Sequence, residues 1–207
     1  MTYFDVTMKI HPDVQVYKND PLKKVVFENM NNHDIGTSHE TSVKLSVHTG
    51  THLDFPLHMI KNGKTSDSLD FKKYIREVKV FDLTHVKEEI TFNDIKDLNI
   101  KKDDFIFFKT QNSFEDTFNF KFVFVKADAA KYLSEIGIAG VGVDGLGIER
   151  DQKGHPTHLY LMEKDIDIIE GLRLKDIKEG TYMMYGQVIP LQGLDACPMS
   201  VILGKDD

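Results

Sequence analysis

The chain is organised around the segment His48-Thr49-Gly50-Thr51-His52-Leu53-Asp54-Phe55-Pro56-Leu57-His58, in which three imidazoles and one carboxylate lie within eleven residues. Neutral imidazole nitrogens and carboxylate oxygens are the ligands that zinc, manganese and iron(II) take from proteins. Glycine and proline interleaved with polar side chains fit neither an amphipathic helix nor a half-buried strand. The segment therefore predicts a metal site.

The spacing of these side chains excludes a single regular element. His48 and His52, four residues apart, would share a face only in a helix, whereas His52 and Asp54, two apart, share a face only in extended chain. Gly50 permits backbone angles that other residues avoid, and Pro56 restricts both itself and the residue before it. We therefore expect a strand that breaks into a rigid, irregular turn.

The motif His-Thr-Gly-Thr-His-x-Asp-x-Pro-x-His resembles the signature of the cyclase family of metal-dependent hydrolases, which includes bacterial kynurenine formamidases and isatin hydrolases. The likeness runs from Asp5 through residues 17–21 and the signature to His158, which Glu170 follows twelve residues later. It departs at Asn19, where a glycine is usual, and at residues 199–200, where Met-Ser replaces the common Val-Arg.

The resemblance implies a ligand set and a reaction. The implied ligands of one or two divalent ions per chain, zinc first and manganese second, are His48, His52, Asp54, His158 and Glu170. For His158 the alternative is a solvated helix face, and for Glu170 it is an exposed strand end. The implied reaction is hydrolysis of N-formylkynurenine to kynurenine and formate, with a cyclic amide such as isatin, or another small amide or lactone, as the alternative substrate.

Two further residues have candidate roles at the site. His58 is the candidate for proton transfer to the leaving nitrogen, because an unperturbed imidazole titrates close to working pH. Tyr17 is a candidate aromatic wall for the substrate, since this segment lies near the substrate in the family; simple surface packing is the alternative. A metal-dependent binding protein without catalysis remains a second hypothesis, which a proton-transfer group beside the ligands disfavours.

Composition restricts the class of protein. We expect one domain over residues 1–207, because a chain with 41% hydrophobic residues and no Pro/Gly/Ser-rich linker can bury one sizeable core. The net charge of −7 and the lack of a basic patch argue against a nucleic-acid partner. The polar N-terminus, the lone Cys197 and the short apolar runs predict a cytoplasmic protein with no membrane span and a structural cysteine. The resemblance implies a homodimer or homotetramer that acts on a small molecule.

Hydrophobic periodicity predicts the elements of the fold. We expect an α/β protein, a single mixed domain with a central β-sheet or barrel-like core and short flanking helices. The predicted strands are 2–10, 41–48, 78–83, 104–108, 120–125 and 166–169, and the predicted helices are 91–98, 128–136 and one that begins at Pro156. The strand over 41–48 would present Val43, Leu45 and Val47 on one face and deliver His48 at its end.

Residues 140–145 match the dinucleotide fingerprint G-x-G-x-x-G and require a test. That fingerprint needs a helix that opens directly at the glycines, so that its N-terminus faces the pyrophosphate. Gly147 and the charged run 149–154 follow instead. We therefore interpret the glycines as part of a strand that ends at Asp144 and enters a surface loop. The remaining histidines, at 11, 33, 39, 85 and 155, have no such support as ligands.

Overall fold

Strand pairing dominates the fold of residues 1–206, which this computed structural model describes. The strands are β1 (Thr2–Asp5), β2 (Val26–Asn31), β3 (Glu40–Lys44), β4 (His52–Asp54), β5 (Ile75–Asp82), β6 (Glu89–Ile90), β7 (Phe105–Lys109), β8 (Phe124–Val125), β9 (Gly140–Val143), β10 (Asp167–Glu170), β11 (Gly180–Val188) and β12 (Ala196–Lys205). The α-helices are α1 (Phe92–Ile95), α2 (Ala127–Ile136) and α3 (Pro156–Met162). None of the helices in this part of the chain has the length and apolar character that a membrane crossing requires.

Seven of the strands close into a ring in the order β12, β11, β5, β7, β9, β10 and β4, with β4 pairing back onto β12. The strands β5, β7, β9 and β10 are adjacent in the ring and run parallel to one another. Every pairing that involves β4, β11 or β12 is antiparallel. β1 pairs with the outer edge of β12. The predicted α/β class with a barrel-like core and few short helices is thus confirmed.

β7 shows how the sequence produces this architecture. Its run Phe-Ile-Phe-Phe-Lys is buried at every position, as expected for a parallel strand covered on both faces. Alternate side chains enter two cores: Ile106 and Phe108 pack with α2 and α3, whereas Phe105 and Phe107 pack with β11 and β12. Every strand of the ring is therefore held by apolar contacts on at least one face.

The glycines of the G-x-G sequence serve this packing. A Cβ on Gly140 would lie 2.3 Å from the ring of Phe105, and one on Gly142 would lie 2.4 Å from the ring of Phe107. In residues 1–206 no helix opens at these glycines, so they lack the structural context that the dinucleotide fingerprint requires. The predicted surface loop is wrong, however, because residues 144–149 are buried. The Asp144 carboxylate holds the start of the segment 144–149 in place by accepting hydrogen bonds from the amide and the hydroxyl of Thr110.

Several predicted strands are shorter than expected. β1 ends at Asp5, and the predicted strand 120–125 is reduced to β8 because a turn occupies residues 119–122. The prediction that a strand over 41–48 delivers His48 is wrong. β3 ends at Lys44 and pairs with β2 as a two-stranded hairpin, Val43 is half exposed, and His48 lies in a separate turn. Alternation fits such a hairpin as well as it fits a core strand.

Candidate metal centre and active site

Strand β4 brings two of the predicted ligands into the interior. It is paired on both sides, by β10 and β12, and His52 stands directly opposite Glu170 on β10. His52 and Asp54 lie two residues apart on an extended strand and project on the same face. His52 Nε2 is 3.4 Å from Asp54 Oδ1 and 3.4 Å from Glu170 Oε2. All three side chains are buried.

A turn held by Gly50 and Thr51 brings His48 to the same cluster. Gly50 has a φ of +68°, and a Cβ there would lie 3.1 Å from the carbonyl oxygen of Met8. Thr51 Oγ1 donates a hydrogen bond to the Gly171 carbonyl and accepts one from the Met8 amide. His48 Nδ1 consequently lies 3.1 Å from Oδ1 of Asp54.

Helix α3 supplies His158. Pro156 occupies the first turn of the helix, as predicted, and the side chain of His158 points inward and is buried. Its Nε2 lies 3.7 Å from Glu170 Oε1 and 3.9 Å from Asp54 Oδ2. The solvated helix face is therefore excluded for His158, and the exposed strand end is excluded for Glu170.

His58 lies at the edge of this cluster, within reach of His48 and Asp54. It ends a short 3₁₀-helix, Pro56–His58, and its ring centroid is 4.3 Å from that of His48 and 5.7 Å from that of His158. Burial lowers the pKa of His58 below its usual value, and the neighbouring His48 adds to this effect although Asp54 opposes it. A neutral imidazole at this position is able to accept a proton.

A cavity of about 260 Å³ lies beside the cluster, and its lining includes His48, His58, His158 and Glu170. Tyr17 lines it, half-buried, with its ring edge-on to Phe118 and Phe122. Burial and the Glu170 carboxylate raise the pKa of the Tyr17 hydroxyl. Tyr17 thus packs on Phe118 and Phe122 and also lines the cavity, and its role as a wall for the substrate stays a prediction.

The cluster contains buried polar atoms that the described chain does not satisfy. Within residues 1–206, Nε2 of His52 and both carboxylate oxygens of Asp54 make no hydrogen bond of good geometry, although Nδ1 of His48 lies 3.1 Å from Oδ1 of Asp54. Unpaired buried carboxylates and imidazoles are costly, and native proteins almost always pair them or bind a metal there. The donor set of imidazole nitrogens and carboxylate oxygens fits zinc or manganese.

The ligand-type atoms of the described residues fall into three groups, two of which share a residue. The atoms of His48, Asp54 and His58 lie within 4.8 Å of one another, and so do those of His52, Asp54 and Glu170. Asp54 belongs to both groups, which fits one ion or two ions that share its carboxylate. A third group joins His158 to Glu149 and His155, and the distances from His158 Nε2 to Asp54 and Glu170 connect it to the other two. The structure thus places close together the five residues that the resemblance implies as ligands.

Charges within the cluster shift several pKa values. Burial alone would lower the pKa of His158, but Glu149 and Glu170 outweigh it and raise that pKa to about 10. Burial likewise opposes the rise at His48, where Asp54 and Asp195 raise the pKa to about 9. The pKa of Glu170 is lowered well below its usual value, because His158 and His52 outweigh the effect of burial. Imidazoles and carboxylates therefore compensate one another when no metal is bound.

Two carboxylates of the site, Glu149 and Asp195, were not predicted. Glu149 Oε2 accepts a hydrogen bond of 2.7 Å from His158, and Asp195 Oδ2 accepts one of 2.8 Å from His48. The sequence placed Glu149 in a charged surface run. A usable signal existed for Asp195, because it adjoins the apolar start of β12, just as Glu170 follows an apolar run.

The residues judged not to be ligands lie elsewhere or at the rim. His155 is largely exposed, with Nδ1 3.9 Å from Glu149 Oε2 at the edge of the cavity. Cys197 is buried on β12, its Sγ donates to the Leu191 carbonyl, and burial raises the pKa of its thiol. These features agree with a structural cysteine rather than a nucleophile.

Comparison with known proteins places this arrangement in a family. The family model described as "Putative cyclase" matches residues 4–150. The chain belongs to the cyclase family. A solved structure described as a predicted metal-dependent hydrolase from Bacillus stearothermophilus is 48% identical, with a TM-score of 0.90 and coverage of 98% of this chain and 97% of that chain.

Two further proteins match over nearly their whole length. A structure described as a potential metal-dependent hydrolase with cyclase activity is 45% identical, with a TM-score of 0.93, and covers 100% of this chain and 99% of that chain. A kynurenine formamidase from Salinibacter ruber is 26% identical over 206 residues, which are 98% of this chain and 97% of the relative. The similarity therefore extends to the C-terminal ligand candidates, beyond the residues that the family model matches.

Proposed function

We propose that the protein is a metal-dependent amidohydrolase that cleaves N-formylkynurenine to kynurenine and formate. The observation that carries this proposal is the buried pair His52 and Asp54, whose polar atoms lack good hydrogen bonds and lie 3.1–3.9 Å from atoms of His48, His158 and Glu170, three residues that line an open cavity. The full-length relatives described as metal-dependent hydrolases and kynurenine formamidase support the class of reaction. The adjacent His58 favours catalysis over simple metal binding.

In this proposal, one or two divalent ions, zinc first and manganese second, are held by His48, His52, Asp54, His158 and Glu170. Such an ion, when bound, lowers the pKa of its water and polarises a carbonyl group. The overall reaction adds one water molecule across the formyl carbon–nitrogen bond, and the products are formate and the aryl amine.

The chain's own residues orient the substrate and move the proton. His58, kept neutral by its lowered pKa, accepts a proton at the edge of the cluster and delivers it to the leaving nitrogen. Tyr17 provides a flat wall against which the aryl ring of the substrate stacks, a role that falls to tyrosine and phenylalanine because the chain has no tryptophan.

The wider setting is also part of the proposal. We expect a cytoplasmic, single-domain enzyme that assembles as a homodimer or homotetramer and has neither a nucleic-acid nor a membrane partner. The buried lone cysteine agrees with a reducing compartment, and closed symmetric homo-oligomers are the general expectation for such enzymes.

A turnover assay on a panel of small amides tests the proposal. The panel contains N-formylkynurenine, unsubstituted formanilide, isatin and a simple lactone, each assayed with and without added zinc. The proposal requires N-formylkynurenine to have the highest kcat/KM. Faster opening of isatin would move the assignment to a cyclic amide, and no turnover of any compound by the metal-loaded protein would favour the binding protein.

A further inference from the structure

Three histidines direct one ring nitrogen at the carboxylates of Asp54 and Glu170, called here the central carboxylates. Each of these histidines makes a hydrogen bond through its other ring nitrogen. The pattern begins with His52, whose Nδ1 donates a 3.0 Å hydrogen bond to the Gly50 carbonyl and leaves Nε2 facing Asp54 and Glu170. The acceptor of this hydrogen bond is therefore a backbone carbonyl of the signature turn. His48 and His158 have no such backbone acceptor among residues 1–206, and side-chain carboxylates take its place.

We propose that Glu149 and Asp195 are positioning residues that fix the rings of His158 and His48 for metal binding. Each carboxylate accepts the proton of one ring nitrogen, so the other nitrogen carries the lone pair and faces the central carboxylates. His158 thereby presents Nε2, and His48 presents Nδ1. This inference rests on the proposed function, because it concerns the same site.

The surroundings of Glu149 hold it rigidly. Its Oε1 accepts hydrogen bonds of 2.8 Å from Gln152 Nε2 and 3.2 Å from the Thr157 amide, while Oε2 is directed at His158. The preceding residue, Ile148, donates its amide to Glu170. One short segment therefore positions two of the proposed ligands, and its burial explains why the charged run 149–154 is not a surface loop at its start.

Asp195 is fixed by different contacts at the opposite side of the cluster. Its carbonyl accepts a 2.9 Å hydrogen bond from the Phe55 amide, and the preceding Leu194 exchanges hydrogen bonds with Ser66. Only Oδ2 of the carboxylate is directed at His48, and the side chain is 40% exposed. A substitution at Asp195 should therefore leave the fold intact.

His58 differs from these three histidines because its ring makes no such hydrogen bond to a carboxylate or a backbone carbonyl of the described residues. Its Nδ1 lies 3.6 Å from Oδ2 of Asp195, too far for a hydrogen bond. Among residues 1–206, His58 thus lacks the anchoring contact that His48, His52 and His158 have, which suits a ring that must exchange protons.

The test compares zinc affinity, by competition with a chromophoric chelator, in the wild type and in Asp195→Ala, Asp195→Asn, Glu149→Ala and Glu149→Gln. The alanine variants should bind zinc roughly 10- to 100-fold more weakly, the usual effect of losing such an outer contact. Asp195→Asn should recover most of the loss, because its amide oxygen still accepts from His48. Glu149→Gln should recover only part of it, since its NH₂ group would face the donors Gln152 and Thr157.

Asp151→Ala is the matched control, because this carboxylate lines the same cavity but is 81% exposed and contacts Arg150 rather than a histidine. It should bind zinc as the wild type does. The visible spectrum of the cobalt(II) form should change in Asp195→Ala and be restored in Asp195→Asn. Zinc binding by Asp195→Ala within about twofold of wild type, or an equal loss in Asp195→Asn, would overturn the inference. Absence of zinc binding by the wild type would instead contradict the proposed function.

Discussion

His52 and Glu170 are direct partners across strands β4 and β10, and His52 Nε2 lies 3.4 Å from Glu170 Oε2. Strand register, rather than sequence proximity, therefore joins the signature to the C-terminal part of the site. A slip of one residue in this pairing would turn Glu170 to the opposite face of the sheet. The closed ring, in which β4 is paired on both sides, opposes such a slip.

Removal of the His58 imidazole should separate metal binding from chemistry. His58→Ala should retain the metal but lose roughly 10²- to 10⁴-fold in kcat, the usual contribution of a positioned acid or base. His52→Ala should lose both the metal and turnover. The exposed His85 supplies the control, and His85→Ala should match the wild type. Near wild-type turnover by metal-loaded His58→Ala would show that another group moves the proton.

Zinc affinity should rise with pH. Without metal, the pKa values of His48 and His158 are raised to about 9 and about 10. Both rings therefore carry a second proton and a positive charge at neutral pH. Zinc must displace these protons, and its binding therefore strengthens as pH increases from about 6 to about 9. Calorimetry in buffers of different ionisation enthalpy should detect proton release at pH 7. An affinity that is flat with pH, with no proton release, would contradict this picture of the metal-free cluster.

Truncation of Tyr17 should change substrate discrimination. If Tyr17 forms the wall of the pocket, N-formylkynurenine should exceed formanilide in kcat/KM in the wild type, because remote contacts add transition-state binding. Tyr17→Ala should narrow that ratio, whereas Tyr17→Phe should largely preserve it. Tyr3→Ala, which removes an exposed ring on β1, is the control. A ratio unchanged in Tyr17→Ala would assign the residue to surface packing alone.

The hairpin formed by β2 and β3 should contact a second copy of the chain. Isolated two-stranded hairpins are marginally stable in water, yet this one exposes Phe27, Met30 and Val43. We expect light scattering to report a dimer or tetramer at micromolar concentration. Met30→Lys should shift the assembly toward smaller species, and Ile75→Lys, at an exposed residue of β5, should not. A wild-type protein that is monomeric at that concentration would rule out the assembly.

The sequence predicted those parts of the site that local chemistry identifies. The segment from His48 to His58 is dense in ligand-type residues, and the structure brings His48, His52 and Asp54 together. Capping and glycine signals also predicted the ends of local elements, such as Gly137, which adopts a φ of +76° directly after α2. These features depend on residues close to one another in the chain.

What the sequence did not predict depends on contacts between distant segments. Glu149 lies in a run that is polar enough for a loop, and only the packing of residues 144–149 beneath α3 buries it. The predicted strand over 41–48 failed for a related reason, because alternation does not reveal whether a strand joins the ring or forms a separate hairpin. Closure of the ring by β4 and β12 likewise cannot be read from local periodicity.

The metal content of the purified protein tests the central claim most directly. Elemental analysis of protein prepared without chelator should find about one or two divalent ions per chain. The reason is that the proposed ligands outnumber the roughly three that one open tetrahedral site takes from a protein. Hydrolysis of N-formylkynurenine should fall as a chelator removes the metal from the same sample and return when zinc is restored. A protein free of transition metal, with activity that the chelator leaves unchanged, would contradict the account.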